Sequence, residues 1–123
     1  MASAGNWFYT EKRALDTSKT TVNADYTAKL GSADDLFMID RVLEVIDPAD
    51  NTTITVGDAS SIGQEILIVT SSNSGSKTVT VSFTHHSTSD PEAGTISTVD
   101  QYVRGLWTGT EWVTESGSWT TGQ

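Results

Sequence analysis

The sequence predicts an all-β domain, and three observations lead to this fold class. First, β-branched residues cluster in short runs such as Val79-Thr80-Val81, which are separated by turns rich in Ser, Asn and Gly. Second, apolar and polar residues alternate within these runs, which places the apolar side chains on one face of a strand. Third, Trp107 and Trp112 flank the short polar segment Thr108–Glu111 in the pattern of a hairpin. The length of 123 residues suits one domain.

A weak internal repeat gives this domain two possible architectures. Strands at Leu43–Ile46 and Thr53–Val56 are followed by similar strands at Leu67–Thr70 and Thr78–Val81, with offsets of 24 and 25 residues. A repeat of this length is typical of one coil of a β-solenoid, or of two successive hairpins in a sandwich. The sequence therefore predicts a compact β-sandwich or a short β-solenoid-like module, and it does not choose between them.

Residues 1–31 differ from the rest of the chain and are predicted to form an extended N-terminal arm with one or two edge strands. A β-domain is expected at residues 32–123. The arm contains three consecutive aromatic residues, Trp7, Phe8 and Tyr9, whose large apolar area is costly to leave in water. We expect them to pack either on their own domain or on a neighbouring subunit.

Residues 32–47 fit two kinds of element. A capping pattern and apolar residues at helical spacing fit a helix. The β-branched run Val42–Ile46, which ends just before Pro48, favours a strand. We predict two strands here, Leu36–Ile39 and Val42–Ile46.

The charge of the chain limits its partners. The net charge is −9, and it is divided into +1 over residues 1–30 and −10 over residues 31–123. An acidic body disfavours nucleic acid and anionic membranes as partners, and it keeps copies of the protein soluble. It would also favour docking of the near-neutral N-terminal segment on another surface. The sequence has no Cys, no apolar run as long as a membrane span and no signal-peptide pattern, so we expect a soluble protein that is not exported.

The residues that could perform catalysis do not form a recognisable set. The sequence has no Gly-x-Ser-x-Gly motif for a nucleophile. The carboxylate pairs Asp34/Asp35 and Asp90/Glu92 lie in short polar turns, where solvated carboxylates are ordinary, although a glycosidase also uses two carboxylates. We therefore predict that the protein is not an enzyme.

A metal site is also not expected. His85 and His86 lie in residues 84–98, which are predicted to form a polar loop, and adjacent side chains of an extended chain point to opposite sides. The two imidazoles therefore cannot easily bind the same ion, and a structural or solvent-exposed role is favoured. Three carboxylates lack the spacing of a calcium-binding loop: Asp47, Asp50 and Asp58. We predict neither metal nor cofactor.

Four Trp residues in a short chain require an explanation. The rings of Trp107 and Trp112 either cover one end of the hydrophobic core or, with Tyr102, form an exposed platform for a glycan. Trp7 and Trp119 lie close to the two ends of the chain. For these two residues a contact with another subunit is the favoured interpretation.

The stretch from residue 62 to residue 113 resembles a module of small structural proteins from tailed bacteriophages. The resemblance is carried by Gly63-Gln64-Glu65-Ile66-Leu67-Ile68-Val69, by Thr78-Val79-Thr80-Val81 and by Gln101-Tyr102-Val103-Arg104-Gly105-Leu106-Trp107-Thr108-Gly109-Thr110-Glu111-Trp112-Val113. In the phage proteins, similar strands and a closing hairpin build compact β modules that form trimers. Such modules occur in capsid decoration (cement) proteins and in tail fibres or tailspikes.

The resemblance implies a virion structural protein. It implies a homotrimer that is made in the host cytoplasm and binds the major capsid protein on the exterior of the capsid. This binding is expected to stabilise the shell. The residues expected to contact the capsid or a neighbouring subunit are Trp7, Phe8, Tyr9 and Trp119. The alternative is a receptor- or carbohydrate-binding module of a phage tail, for which the glycan platform would be Tyr102, Trp107 and Trp112.

Overall fold

The computed structural model describes residues 19–31, 39–115 and 118–121. These residues form strands and turns with no helix, so the predicted all-β class is confirmed. In chain order the strands are β1 (Lys19–Val22), β2 (Tyr26–Thr27), β3 (Val42–Ile46), β4 (Thr52–Val56), β5 (Glu65–Ser72), β6 (Val79–Phe83), β7 (Glu92–Thr95), β8 (Tyr102–Trp107), β9 (Trp112–Thr114) and β10 (Thr120–Thr121).

The strands form two mixed sheets of five strands each. Sheet A has the order β1-β3-β5-β8-β9, and sheet B has the order β10-β7-β6-β4-β2. The first six strands alternate between the sheets and pair in parallel, so that they make three successive solenoid-like coils. The later strands add to both sheets in antiparallel pairs. Each of the two predicted architectures therefore describes one part of the fold.

The inward side chains of the two sheets form one hydrophobic core. Leu43 and Val45 of sheet A and Ile54 and Val81 of sheet B have no exposed surface. Each alternates with outward residues along its strand, as the period of a β-strand requires. Full burial of one such side chain stabilises the fold by about 1.5–3 kcal/mol, so these alternating apolar positions drive the stacking of the sheets.

The internal repeat corresponds to the parallel pairing of successive coils, but with a different register from the one predicted. Leu43 pairs with Ile68, whereas the repeat aligns it with Leu67. A shift of one residue moves a side chain to the other face of the sheet. Ile66 and Ile68 are buried while Leu67 points outward, so the core selects the observed register.

Residues 19–31 supply the outermost parallel strand of each sheet, β1 and β2. Their apolar side chains join the common core: Val22, Ala28 and Leu30. The predicted strand Val42–Ile46 is confirmed as β3. The other strand predicted there, Leu36–Ile39, lies outside the described residues except for Ile39, which bridges Leu30 in antiparallel fashion.

The prediction of a polar loop over residues 84–98 is wrong for Glu92–Thr95, which form β7 beside β6. Gly94 is required at this point because a Cβ atom there would lie 2.7 Å from Cε3 of Trp119. The sequence Glu-Ala-Gly-Thr has low strand propensity, so the pairing partner and the packing of Trp119 decide the structure.

Candidate interaction surface

The outer face of sheet A carries large apolar side chains at positions where a solvent-facing sheet normally has polar ones. Leu106 on β8 is 44% exposed and Val113 on β9 is 38% exposed. On β3 and β5 the outward apolar side chains are half-buried. We call this surface the sheet A face, and its apolar members are Val42, Ile46, Leu67, Val69, Tyr102, Leu106 and Val113.

The strand register divides the apolar side chains of the sheet A face into two groups. Leu106 lies beside Val113 on β9, and Val42 lies beside Leu67 on β5. Between the groups the register pairs apolar with charged residues, because Glu65 lies opposite Leu106 and Arg104 lies opposite Leu67. Leu67 and Leu106 are therefore diagonal neighbours, at a separation that long side chains can still span. The result is an apolar patch on the outside of the molecule with a charged pair in its middle.

Charged residues of both signs border the patch at its β1 edge. Lys19 Nζ lies 2.7 Å from Glu44 Oε1, and the hydroxyl of Ser71 donates a hydrogen bond of 2.6 Å to the other carboxylate oxygen of Glu44. The hydrogen bond from Lys19 has the largest effect and lowers the pKa of Glu44, and the hydrogen bond from Ser71 lowers it further. Glu44 therefore stays ionised and keeps this edge of the face charge-paired.

Across the central strands β5 and β8, basic and acidic groups line two shallow depressions of about 330 and 340 Å³. Arg104 and Glu65 line both, Arg41 lines the first and Glu115 the second. Arg104 Nε lies 3.9 Å from Glu115 Oε1, and both side chains are about half exposed. Solvent and salt weaken an ion pair of this kind, so these charges stay available to a partner.

The sheet A face is electrically balanced although the protein is strongly acidic. Its three basic residues, Lys19, Arg41 and Arg104, are matched by three acidic ones, Glu44, Glu65 and Glu115. The net charge of −9 therefore arises from the rest of the chain.

The outer face of sheet B is different in chemistry. On β4, β6 and β7 the outward residues are small and mostly carry hydroxyl groups: Thr53, Thr55, Thr80, Ser82, Ala93 and Thr95. Water can hydrogen-bond to such a surface without a hydrophobic cost. Covering the sheet A face therefore removes apolar surface from water, whereas covering the outer face of sheet B does so to a smaller extent.

The sheet A face was not predicted from the sequence, although the sequence contains a signal for this surface. Val42-Leu43, Leu106-Trp107 and Trp112-Val113 are pairs of adjacent apolar residues. Because successive side chains of a strand point to opposite sides, each pair places one apolar side chain in the core and one outside. Apolar residues on both sides of a strand indicate either a covered sheet or an interface.

Of the residues predicted to contact a capsid or a subunit, Trp7, Phe8 and Tyr9 lie outside the described residues. Trp119 is half-buried and packs against its own core. Its ring meets that of Phe83 edge-on, with centroids 5.7 Å apart and an interplanar angle of 88°. The Trp119 ring thus makes packing contacts within its own domain.

The predicted glycan platform of Tyr102, Trp107 and Trp112 is not present as an exposed surface. Trp107 is 4% exposed and Trp112 is fully buried, so neither ring offers a face on which a sugar could stack. The two rings pack against each other across the β8–β9 hairpin, with centroids 5.5 Å apart. They cover the end of the core, which is the other interpretation of the two Trp residues. Tyr102 lies half-buried on the sheet A face.

The adjacent histidines have different environments. The ring of His85 is exposed and its Nδ1 lies 2.6 Å from Asp58 Oδ1. His86 is buried, and its ring nitrogens bond to the backbone N–H of Thr88 and to the hydroxyl of Thr114. The two side chains make separate structural contacts.

The acidic candidates are also separated from one another. Asp47 accepts a hydrogen bond from the backbone N–H of Ser74, which lowers the pKa of Asp47, while Asp58 binds His85. Over the described ranges, no three His, Cys, Asp or Glu side chains come together in a way that could hold a metal ion. Asp34 and Asp35 lie outside those ranges.

We expect the pKa of His85 to lie above the ordinary histidine value, because Asp58 hydrogen-bonds to its ring and the Asp58 charge favours the protonated form. The pair then stabilises the fold fully below the unfolded-state pKa of the histidine, and this contribution is lost as the pH rises through the folded-state pKa. An NMR titration should show the His85 midpoint falling in Asp58→Asn and unchanged in Asp50→Asn. An equal midpoint in wild type and Asp58→Asn would contradict the pairing.

No protein-family model matches the chain, and no curated protein matches it. Within the described part of the structure, no helix has the length and apolar character needed to cross a membrane.

Proposed function

We propose that this protein is a non-enzymatic virion structural protein that decorates the outer surface of a phage capsid as a homotrimer. The observation that carries the proposal is the sheet A face, an apolar and charge-balanced surface on an acidic protein. The resemblance of residues 62–113 to phage β modules supports the other parts of the proposal. These are the location on the virion, the binding to the major capsid protein and the assembly of three copies.

The physical basis of the proposed activity is mass action. A protein that binds the assembled shell but not its separated subunits stabilises the shell by the free energy of binding. Many copies on one particle add their contributions, even where each contact is weak. The stacked coils suit this role because their parallel pairing and common core make a rigid body that can bridge neighbouring subunits.

The test is the composition and stability of purified particles. Mass spectrometry should find this chain in many copies per virion, close to a fixed ratio with the major capsid protein. Particles stripped of the protein should open at a lower temperature than decorated ones, and adding the purified protein back should restore the difference. A particle that lacks the protein, or that melts identically with and without it, would refute the decoration role.

The second candidate is a receptor- or carbohydrate-binding module of a phage tail. It has less support because the rings of Trp107 and Trp112, which were its predicted binding groups, are buried. The copy number in the same experiment separates the two roles, since a tail protein is present in only a few copies per particle.

A further inference from the structure

We infer that the sheet A face is the surface through which copies of this chain bind one another, with the apolar residues of one copy packed on the sheet A face of the next. This deepens the proposed function by naming the occupant of that face, and it rests on the self-association that the proposal includes.

Leu106 and Val113 are the most exposed apolar residues of the sheet A face. These neighbouring side chains on β8 and β9 keep 44% and 38% of their surfaces exposed, and Leu106 lies diagonally across from the half-buried Leu67 of β5. Large apolar side chains grouped on one outer face usually mark a contact surface. Covering it removes apolar surface from water at about 25 cal/mol per Å².

The distribution of charge favours a second copy as the occupant of the sheet A face. Two molecules of charge −9 repel each other over most of their surfaces. The sheet A face is the exception, because its basic and acidic residues are equal in number. Copies can approach one another through this face without net repulsion, and around a three-fold axis Arg104 of one copy can pair with Glu65 or Glu115 of the next. A strongly basic partner would instead be drawn to the acidic remainder of the surface.

The first variant is Leu106→Glu, which places an unpaired carboxylate in the centre of the patch. Its matched control is Val99→Glu, because Val99 is 46% exposed but lies in the loop before β8, away from the sheet A face. Sedimentation equilibrium of the purified full chain should show an oligomer for wild type and Val99→Glu. Self-association of Leu106→Glu should be weaker by at least about 30-fold, the effect expected for an interface hot spot.

The second variant tests the charges and leaves the core untouched. Arg104→Glu should weaken self-association by about tenfold, because it removes a cation and adds an anion at the contact. Lys77→Glu makes the same change of charge in the turn before β6 and should have little effect. Adding Glu65→Arg to Arg104→Glu restores the charge balance of the sheet A face, so the double variant should recover much of the lost self-association. Circular dichroism of each variant checks that it is folded.

The outcomes decide the inference independently of the capsid experiment. A monomeric wild-type protein at micromolar concentration overturns it, and so does an oligomer that tolerates both Leu106→Glu and Arg104→Glu. A trimer that is lost in these variants and kept in both controls supports it, and a dimer that behaves in the same way supports the contact surface but refutes the homotrimer of the proposed function. Self-association with no protein on the particles would leave this inference standing and refute only the decoration role.

Discussion

Replacement of Trp112 by alanine is expected to lower the free energy of unfolding by about 4 kcal/mol. The indole is fully buried and packs between the rings of Trp107 and Phe83, with centroids at 5.5 and 5.7 Å. Its Nε1–H donates a hydrogen bond of 2.7 Å to the carbonyl of Gly57, which ties the hairpin of sheet A to the end of β4 in sheet B. Removing the ring leaves a cavity and an unpaired carbonyl.

Urea denaturation measures this loss. With a slope of about 2 kcal/mol per molar urea, the midpoint should fall by about 2 M. Trp112→Phe keeps most of the ring and loses the N–H group, so it should cost about 1–2 kcal/mol. Val99→Ala, at an exposed loop position, should change stability by less than about 0.5 kcal/mol. If Trp112→Ala were as stable as Val99→Ala, the ring would not be part of the core.

Much of the fold follows from local sequence patterns. β6 and the β8–β9 hairpin are predictable because β-branched or aromatic residues alternate in them and polar turns bound them. β7 is not predictable in this way, because Glu92–Thr95 has low strand propensity and is fixed by its pairing with β6. The pairing of Leu43 with Ile68 also depends on the whole core. The sequence alone does not choose between Ile68 and Leu67 as its partner, because both are apolar.

The candidate surface could be predicted only in part. The apolar pairs Leu106-Trp107 and Trp112-Val113 indicate side chains on both faces of a strand, but they do not say which member points outward. The observed fold places both Trp rings inside and Leu106 and Val113 outside. The larger ring buries more apolar surface, which explains why Trp occupies the core position at both places.

The separation of core and surface within sheet A links the fold to the proposed role. The inward residues are shared with sheet B and hold the module rigid, so the outward residues can be changed without unfolding it. Variants of the core should therefore alter unfolding, while variants of the sheet A face should alter association.

We expect Asp40→Ala to destabilise the fold by about 3 kcal/mol, because it removes a buried charged acceptor. Asp40 is 5% exposed and accepts three hydrogen bonds, from the Thr20 hydroxyl at 2.8 Å, the Tyr26 hydroxyl at 2.7 Å and the Lys29 backbone N–H at 2.8 Å. These donors lie in the first coil, whereas Asp40 lies just before β3 of the second. The carboxylate therefore joins two successive coils through side-chain hydrogen bonds.

Asp40→Asn and Asp50→Ala separate the contribution of these hydrogen bonds from a general effect of charge. Asparagine keeps the shape and one acceptor oxygen, so it should cost about half as much as alanine. Asp50 is exposed, and Asp50→Ala removes one negative charge from the surface, with an expected change below about 0.5 kcal/mol. Hydrogen exchange should show amides of β1 and β2 losing protection in Asp40→Ala before those of β5 and β6, because the first coil loses its anchor. Uniform loss of protection across all the strands would argue against a local role for Asp40.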